Sequence, residues 1–443
     1  MSETTAAKDL VHDQPVNEAT NHDVLYALAQ RLLPGASLGA HALPEAERFI
    51  IRSGKGPRLQ DVRERWYIDF VCGAGALILG HAHPTTMAAI KDQLDRGIHY
   101  FGTLNEPCLQ LAQALVEAIP CAEQLIFTTT GSEATFFALR VARAFTKRDK
   151  ILKFAGAYHG THDCVSFSVA SATTDYPLAR AESAGIPAAL SDSVLICPYN
   201  DLDTARRIVE THRHELAAVI VEPVQRIIFP DESFLPGLRR LCDDNDVLLV
   251  FDEVVTGFRL AYGGAQEYFG VTPDLASYGK IVGGGAALGA VAGKAEIIGL
   301  ADPALKGSKD HAFVNGTFHG NPLAAVAGLA TLTELREPGF YRNLNARADA
   351  YRRAFQEVLD RHGFPAKACG DASFWQILFC TDAPHDHADI LTSDQARSRA
   401  LDLACLREGL YVLPLTRRFI SAVHDEGDLE QSVCALDAAC RGV

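Results

Sequence analysis

The chain has 443 residues, of which 48% are hydrophobic and 22% charged, and it carries a net charge of −14. That length supports two or three domains and a large buried core. The acidic balance, with no run of Lys and Arg, excludes nucleic acid and anionic membranes as expected partners. No uninterrupted apolar stretch of about 18 residues is present to span a bilayer.

Eleven cysteines are scattered without a Cys-x-x-Cys pair or a Cys/His cluster. The expectation is reduced thiols in a cytoplasm, with neither a disulfide framework nor a metal site. Residues 1–21 are polar and lack the apolar core of a secretory signal, and are expected to form a mobile tail. Residues 22–75 read as the first part of a smaller α+β domain. Within them, 47–52 and 66–70 alternate like antiparallel strands about a polar turn at Gly54-Lys55-Gly56.

Residues 76–325 read as a large α/β domain with a mainly parallel sheet, because strand-like and helix-like runs alternate. Several short apolar runs end in polar residues. Residues 124–127 lead into Thr128-Thr129-Thr130. Residues 151–154 lead towards Tyr158-His159-Gly160, 217–221 into Glu222-Pro223, and 247–251 into Asp252. Such runs resemble buried parallel strands, and ligands gather beyond the carboxyl ends of such strands. This pattern alone predicts that Thr130, Tyr158, Glu222, Asp252 and Lys280 share one sheet edge.

Thr130-Gly131-Ser132 opens a predicted helix over 133–145, with apolar residues at Ala134, Phe137, Ala138, Val141 and Ala142. A helix N-terminus there suits a phosphate; the competing reading is an ordinary N-cap serine. Tyr158 offers a ring to stack on a flat ligand, or is a plain loop tyrosine. Glu222 borders a ligand or caps a loop. The segment Asn315-Gly316-Thr317-Phe318-His319-Gly320-Asn321-Pro322 reads as a turn before a helix starting near Leu323. From 326 to 443 the chain is mainly helical, notably over 344–359, with strands at 374–379 and 411–413. Both chain ends are expected to pack into the smaller α+β domain.

Lys280 follows Ser277-Tyr278-Gly279 and precedes Ile281-Val282-Gly283-Gly284-Gly285, and Asp252 stands twenty-eight residues upstream. A lysine to bond a cofactor aldehyde and a buried acid to keep a pyridine nitrogen protonated are what pyridoxal phosphate chemistry requires. The stretch Phe251-Asp252-Glu253-Val254-Val255-Thr256-Gly257-Phe258-Arg259, followed by Asp274 and Gly279-Lys280, resembles the class III (omega-type) aminotransferase signature.

That resemblance implies the type I fold of pyridoxal-phosphate-dependent transferases, with Lys280 and Asp252 as catalytic residues. It implies that Thr130, Gly131 and Ser132 hold the cofactor phosphate, that Tyr158 and His159 face its ring, and that Glu222 and Val254 border it. It also implies that Thr317 reaches the phosphate of a second chain, giving a homodimer with shared active sites.

Within the family, Leu77-Ile78-Leu79-Gly80-His81, Ala157-Tyr158-His159-Gly160 and Pro198-Tyr199-Asn200-Asp201-Leu202 resemble the glutamate-1-semialdehyde aminomutases. Three places depart from that branch. His41 stands where a carboxylate-binding Arg is expected, Ala74 where a Trp is expected, and Arg417-Arg418 where the loop is acidic. These departures point to an aminotransferase that exchanges amino groups between a bulky or hydrophobic amine and a 2-oxo acid such as pyruvate. Arg417 or Arg418 would then bind the acid's carboxylate, unless the pair is a solvated surface feature. The alternatives are a 2,1-aminomutase, a racemase or decarboxylase on the same scaffold, and a non-catalytic binding protein.

Overall fold

The computed structural model describes residues 22–39, 41–172 and 174–443; the tail expected over 1–21 lies outside them. A polar turn at Gly56-Pro57 reverses the chain between β1 (Ile51–Lys55) and β2 (Arg58–Asp61), and β3 (Trp66–Asp69) follows antiparallel to β2. The expected pair of strands is thus three, and residues 47–50 lie outside them because Glu45–Glu47 close a 3-10 turn instead.

Seven strands build the central sheet. They are β4 (Gln124–Thr128), β5 (Lys150–Phe154), β6 (Val194–Cys197), β7 (Leu216–Val221), β8 (Leu248–Asp252), β9 (Leu275–Tyr278) and β10 (Gly289–Gly293). Their order is β4-β10-β9-β8-β7-β5-β6, and only β10 runs antiparallel to its neighbours. β7 and β8 are buried along their whole length. This explains their unbroken apolar runs: a strand covered by helices on both faces has no solvent side to alternate towards.

A separate three-stranded sheet comprises β11 (Lys367–Asp371), β12 (Phe374–Leu378) and, later in the chain, β14 (Arg418–Phe419); β13 (Leu410–Tyr411) instead joins β3 in parallel. The two chain ends therefore share one sheet. The long helix Phe340–Arg361 buries Leu344, Ala348, Tyr351, Phe355, Val358 and Leu359, spaced three or four apart, against this unit. No helix among the described residues is long and apolar enough to cross a membrane.

Candidate active site

The carboxyl ends of β4, β5, β7, β8 and β9 carry the residues singled out in the sequence. Lys280 stands two residues past the end of β9 and has a left-handed backbone, φ 54°. A non-glycine residue there carries a cost of order 1 kcal/mol or more, a type of strain that collects at functional sites. Burial, reinforced by the nearby Arg417 cation and partly opposed by Asp252 and Glu222, lowers the Lys280 ammonium to about 8. Its amine is therefore neutral and nucleophilic at much lower pH than an ordinary lysine.

Asp252 ends β8 and is only 5% exposed. One of its oxygens, Oδ2, accepts from His159 Nδ1 at 2.7 Å. The other, Oδ1, accepts from the Val254 amide at 3.1 Å and from the Ser277 hydroxyl at 3.4 Å. A buried acid with this many donors is held rigid. His159 Nε2 is buried without a partner.

Thr130 caps the helix Gly131–Thr146, accepting from Glu133 N at 3.1 Å. Glu133 in turn accepts from Thr129 N at 2.7 Å. The cap is thus Thr130, not the serine of the competing reading. Ser132 is left outside the cap, and its hydroxyl accepts from the Thr161 amide at 3.3 Å. Three loops close on this helix end. A Cβ on Gly131 would lie 2.7 Å from Val254 Cγ1, one on Gly279 3.3 Å from Gly131 Cα, and one on Gly160 2.5 Å from Ser132 Oγ. Only glycine permits so close an approach.

The Tyr158 loop is gripped from several sides. Gln225 donates to Ala155 O at 2.8 Å, Arg226 Nε to Gly156 O at 3.2 Å, Lys153 Nζ to Ala157 O at 3.0 Å, and Thr135 to His159 O at 2.5 Å. Glu222, buried at the end of β7, accepts from the Tyr158 amide at 3.1 Å. Tyr158 itself is 42% exposed, which leaves room for a flat ligand beside it. Sequence reasoning did not find Lys153, Gln225 or Arg226; a charged lysine inside an apolar strand run was the available signal for Lys153.

The two C-terminal arginines separate. Arg418 is buried against Asp402 at 2.5 Å and against the Trp375 ring. Arg417 acts electrostatically on Lys280 and donates Nη1 to Arg226 O at 3.2 Å. Of the other expected contacts, His41, Ala74 and Thr317 are exposed. Two signature residues serve the scaffold. Asp274 pairs with Arg239 and Lys294 at 2.9 and 2.6 Å. Arg259, fully buried, donates to Gly75 O at 2.6 Å and Ser373 Oγ at 3.0 Å, joining the two ends of the chain.

This donor set fits pyridoxal phosphate. It combines a helix N-terminus with a free serine hydroxyl for the phosphate, a half-exposed aromatic face for the ring, a buried carboxylate for the ring nitrogen, and a lysine with a lowered proton affinity for the aldehyde.

The class III aminotransferase family model matches residues 41–421. A glutamate-1-semialdehyde 2,1-aminomutase from Methanosarcina acetivorans is 39% identical over 414 residues, covering 92% of this chain and 96% of the relative. Among solved structures, an omega-transaminase from Sphaerobacter thermophilus is similar, with a TM-score of 0.90 and 33% identity over 96% of this chain and 98% of that one. A transaminase with PLP bound matches with a TM-score of 0.86 and 27% identity, over 95% of this chain and 96% of that one. The chain belongs to the class III aminotransferase family, and its cofactor is pyridoxal phosphate.

Proposed function

We propose that the chain is a 2,1-aminomutase acting on glutamate-1-semialdehyde or a closely similar amino-aldehyde acid. The observation that carries this reading is the set of relatives 35–39% identical over 92–95% of the chain, which are glutamate-1-semialdehyde 2,1-aminomutases. It corrects the expectation of an aminotransferase working between a bulky amine and a 2-oxo acid. That expectation gave three substitutions more weight than the remaining length of the chain.

When bound, pyridoxal phosphate supplies an electrophilic carbonyl and a ring that takes up electron density. Lys280 is the base in this reading: its Nζ removes a proton from the substrate carbon bearing nitrogen and delivers one to the neighbouring reacting position. Asp252, fixed by His159, Val254 N and Ser277, holds the ring nitrogen in its charged state. Thr130, Gly131 and Ser132 bind the phosphate, and Tyr158 covers the ring face, with Glu222 fixing its loop. Val254 lies against Gly131 and borders the cofactor. Arg417 binds the substrate carboxylate in place of the arginine absent at His41. The chain acts as a homodimer, with Thr317 reaching the partner's phosphate; the exposure of Thr317 and Phe318 supports this.

The experiment is to incubate purified holoenzyme with glutamate-1-semialdehyde and no added 2-oxo acid or amine. Formation of 5-aminolevulinate at catalytic turnover is the expected result. Turnover only when a second amino acceptor is supplied would overturn the reading.

A further inference from the structure

Arg226 is the residue that the assigned chemistry leaves over. It lies four residues past Glu222, beyond the end of β7, and has a left-handed backbone with φ 59°. Three contacts fix it. Its Nε donates to Gly156 O at 3.2 Å, its own carbonyl accepts from Arg417 Nη1 at 3.2 Å, and its guanidinium carbon sits 5.4 Å from the Tyr158 ring centroid. Among the described residues, neither Arg226 nor Arg417 has a carboxylate within salt-bridge distance. The nearby acids are already engaged: Glu222 with the Tyr158 amide and Asp252 with His159.

Three cations therefore converge on one side of the site: Lys280, Arg417 and Arg226. Burial, with a contribution from Arg226, lowers the Arg417 guanidinium to about 10. The Arg226 charge acts unfavourably on the Arg417 guanidinium, and an anion between the two would relieve that repulsion. An arginine with its terminal amino groups unspent is also suited to a planar carboxylate. His41 offers no such fork, and it is exposed.

We propose that Arg226 is a specificity-determining residue that, together with Arg417, binds the substrate's carboxylate between two guanidinium groups. The backbone contact between them sets the spacing: the Arg226 carbonyl orients Arg417, and the Arg226 Nη atoms face the same anion. This inference rests on the reading of the site as one that turns over a carboxylate substrate. It assigns the acid end of that substrate to the wall formed by the Tyr158 loop and the 415–419 segment.

The test is calorimetric titration of holoenzyme with valerate and with its uncharged analogue valeramide. Wild type should bind valerate at least tenfold more tightly than valeramide. Arg226→Gln should weaken valerate at least tenfold and leave valeramide unchanged, and Arg226→Lys should recover part of the loss. Valerate affinity within twofold of wild type in Arg226→Gln overturns the proposal, as does an equal loss for valeramide, which marks a merely structural role. Release of pyridoxal phosphate by Arg226→Gln with valerate binding retained also overturns it, because the anion served would be the cofactor's phosphate. A wild type blind to the charge of the probe overturns it too. Aminomutase turnover is scored separately. Its absence from a wild type that prefers valerate removes the functional reading and leaves the two-arginine site standing.

Discussion

Lys280 combines a left-handed backbone with a buried amine, and the second property is measurable. Because burial and Arg417 lower its proton affinity from the ordinary 10.5 to about 8, the neutral amine predominates above pH 8 and disappears below it. Recapture of pyridoxal phosphate by the stripped protein should therefore speed up with pH and reach half its maximal rate near pH 8. A midpoint near 10 would show that the buried environment is wrong. Borohydride reduction of the holoenzyme should fix the cofactor on the peptide containing Lys280, and Lys280→Ala should remove both label and turnover. Asp252→Asn should cut the rate of substrate proton removal by two to four decades, the scale of roughly 3–5 kcal/mol for one strong electrostatic partner. Stopped-flow absorbance reads that step, and a loss below about tenfold would deny Asp252 its place. That these two residues would come together was legible in the sequence because the proposed chemistry restricts residue type and spacing at once. Arg226 and Lys153 were not. Their roles depend on which backbone carbonyls a folded loop presents; the one local sign was a lysine inside the apolar run 151–154, and for Arg226 there was none.

At the level of elements, the 415–419 segment sends its two arginines to different places, Arg417 near Lys280 and Arg418 into a buried ion pair. Arg418 and Asp402 form a fully buried pair between β14 and the helix Gln395–Arg407. Removing one partner leaves an unpaired buried charge, so Asp402→Ala should destabilise the protein by about 3–5 kcal/mol in denaturant unfolding. The loop that follows β5 and packs on the end of the phosphate helix should be equally intolerant. Gly160 has φ +99°, and an added Cβ would lie 2.5 Å from Ser132 Oγ. Gly160→Ala should weaken pyridoxal phosphate binding by about 1–3 kcal/mol, read as the dissociation constant from cofactor fluorescence. The strands β4, β5, β7 and β8 could be read from their apolar runs, whereas β10 could not. Gly289-Ala290-Val291-Ala292-Gly293 has little strand propensity. It lies in the sheet because only small residues allow so close an approach: a Cβ on Gly289 would be 2.5 Å from Thr128 Oγ1.

For the whole molecule, the proposed dimer would need a surface to cover, and one group of exposed apolar side chains lies near Thr317. Ile98, Phe101, Leu104, Phe313 and Phe318 are each more than half exposed. Asn321 Nδ2 donates to Ile98 O at 3.1 Å and Asn105 Nδ2 to Gly320 O at 3.0 Å, so the segments around 98–105 and 313–321 lie against each other. Sedimentation should show a dimer, and Thr317→Ala should weaken pyridoxal phosphate binding by about 1 kcal/mol, the scale of one lost hydrogen bond. A fully active monomer would exclude a shared phosphate site. That residues near 411 would form a strand was legible from the return of a strand-like run there. That β13 would pair in parallel with β3, and not with β12, was not, because a two-residue strand carries no pattern of its own.

That same pairing has a consequence for synthesis on the ribosome. β3 waits for β13, which emerges about 340 residues later. At ordinary elongation rates the delay is on the order of 20–70 s. Through that interval the central sheet can close while the amino-terminal hairpin has an open edge, free to pair with another nascent chain. The segment from residue 410 onward thus closes that sheet, and a chain stalled before it would keep β1, β2 and β3 paired with one another while the outer edge of β3 stayed open.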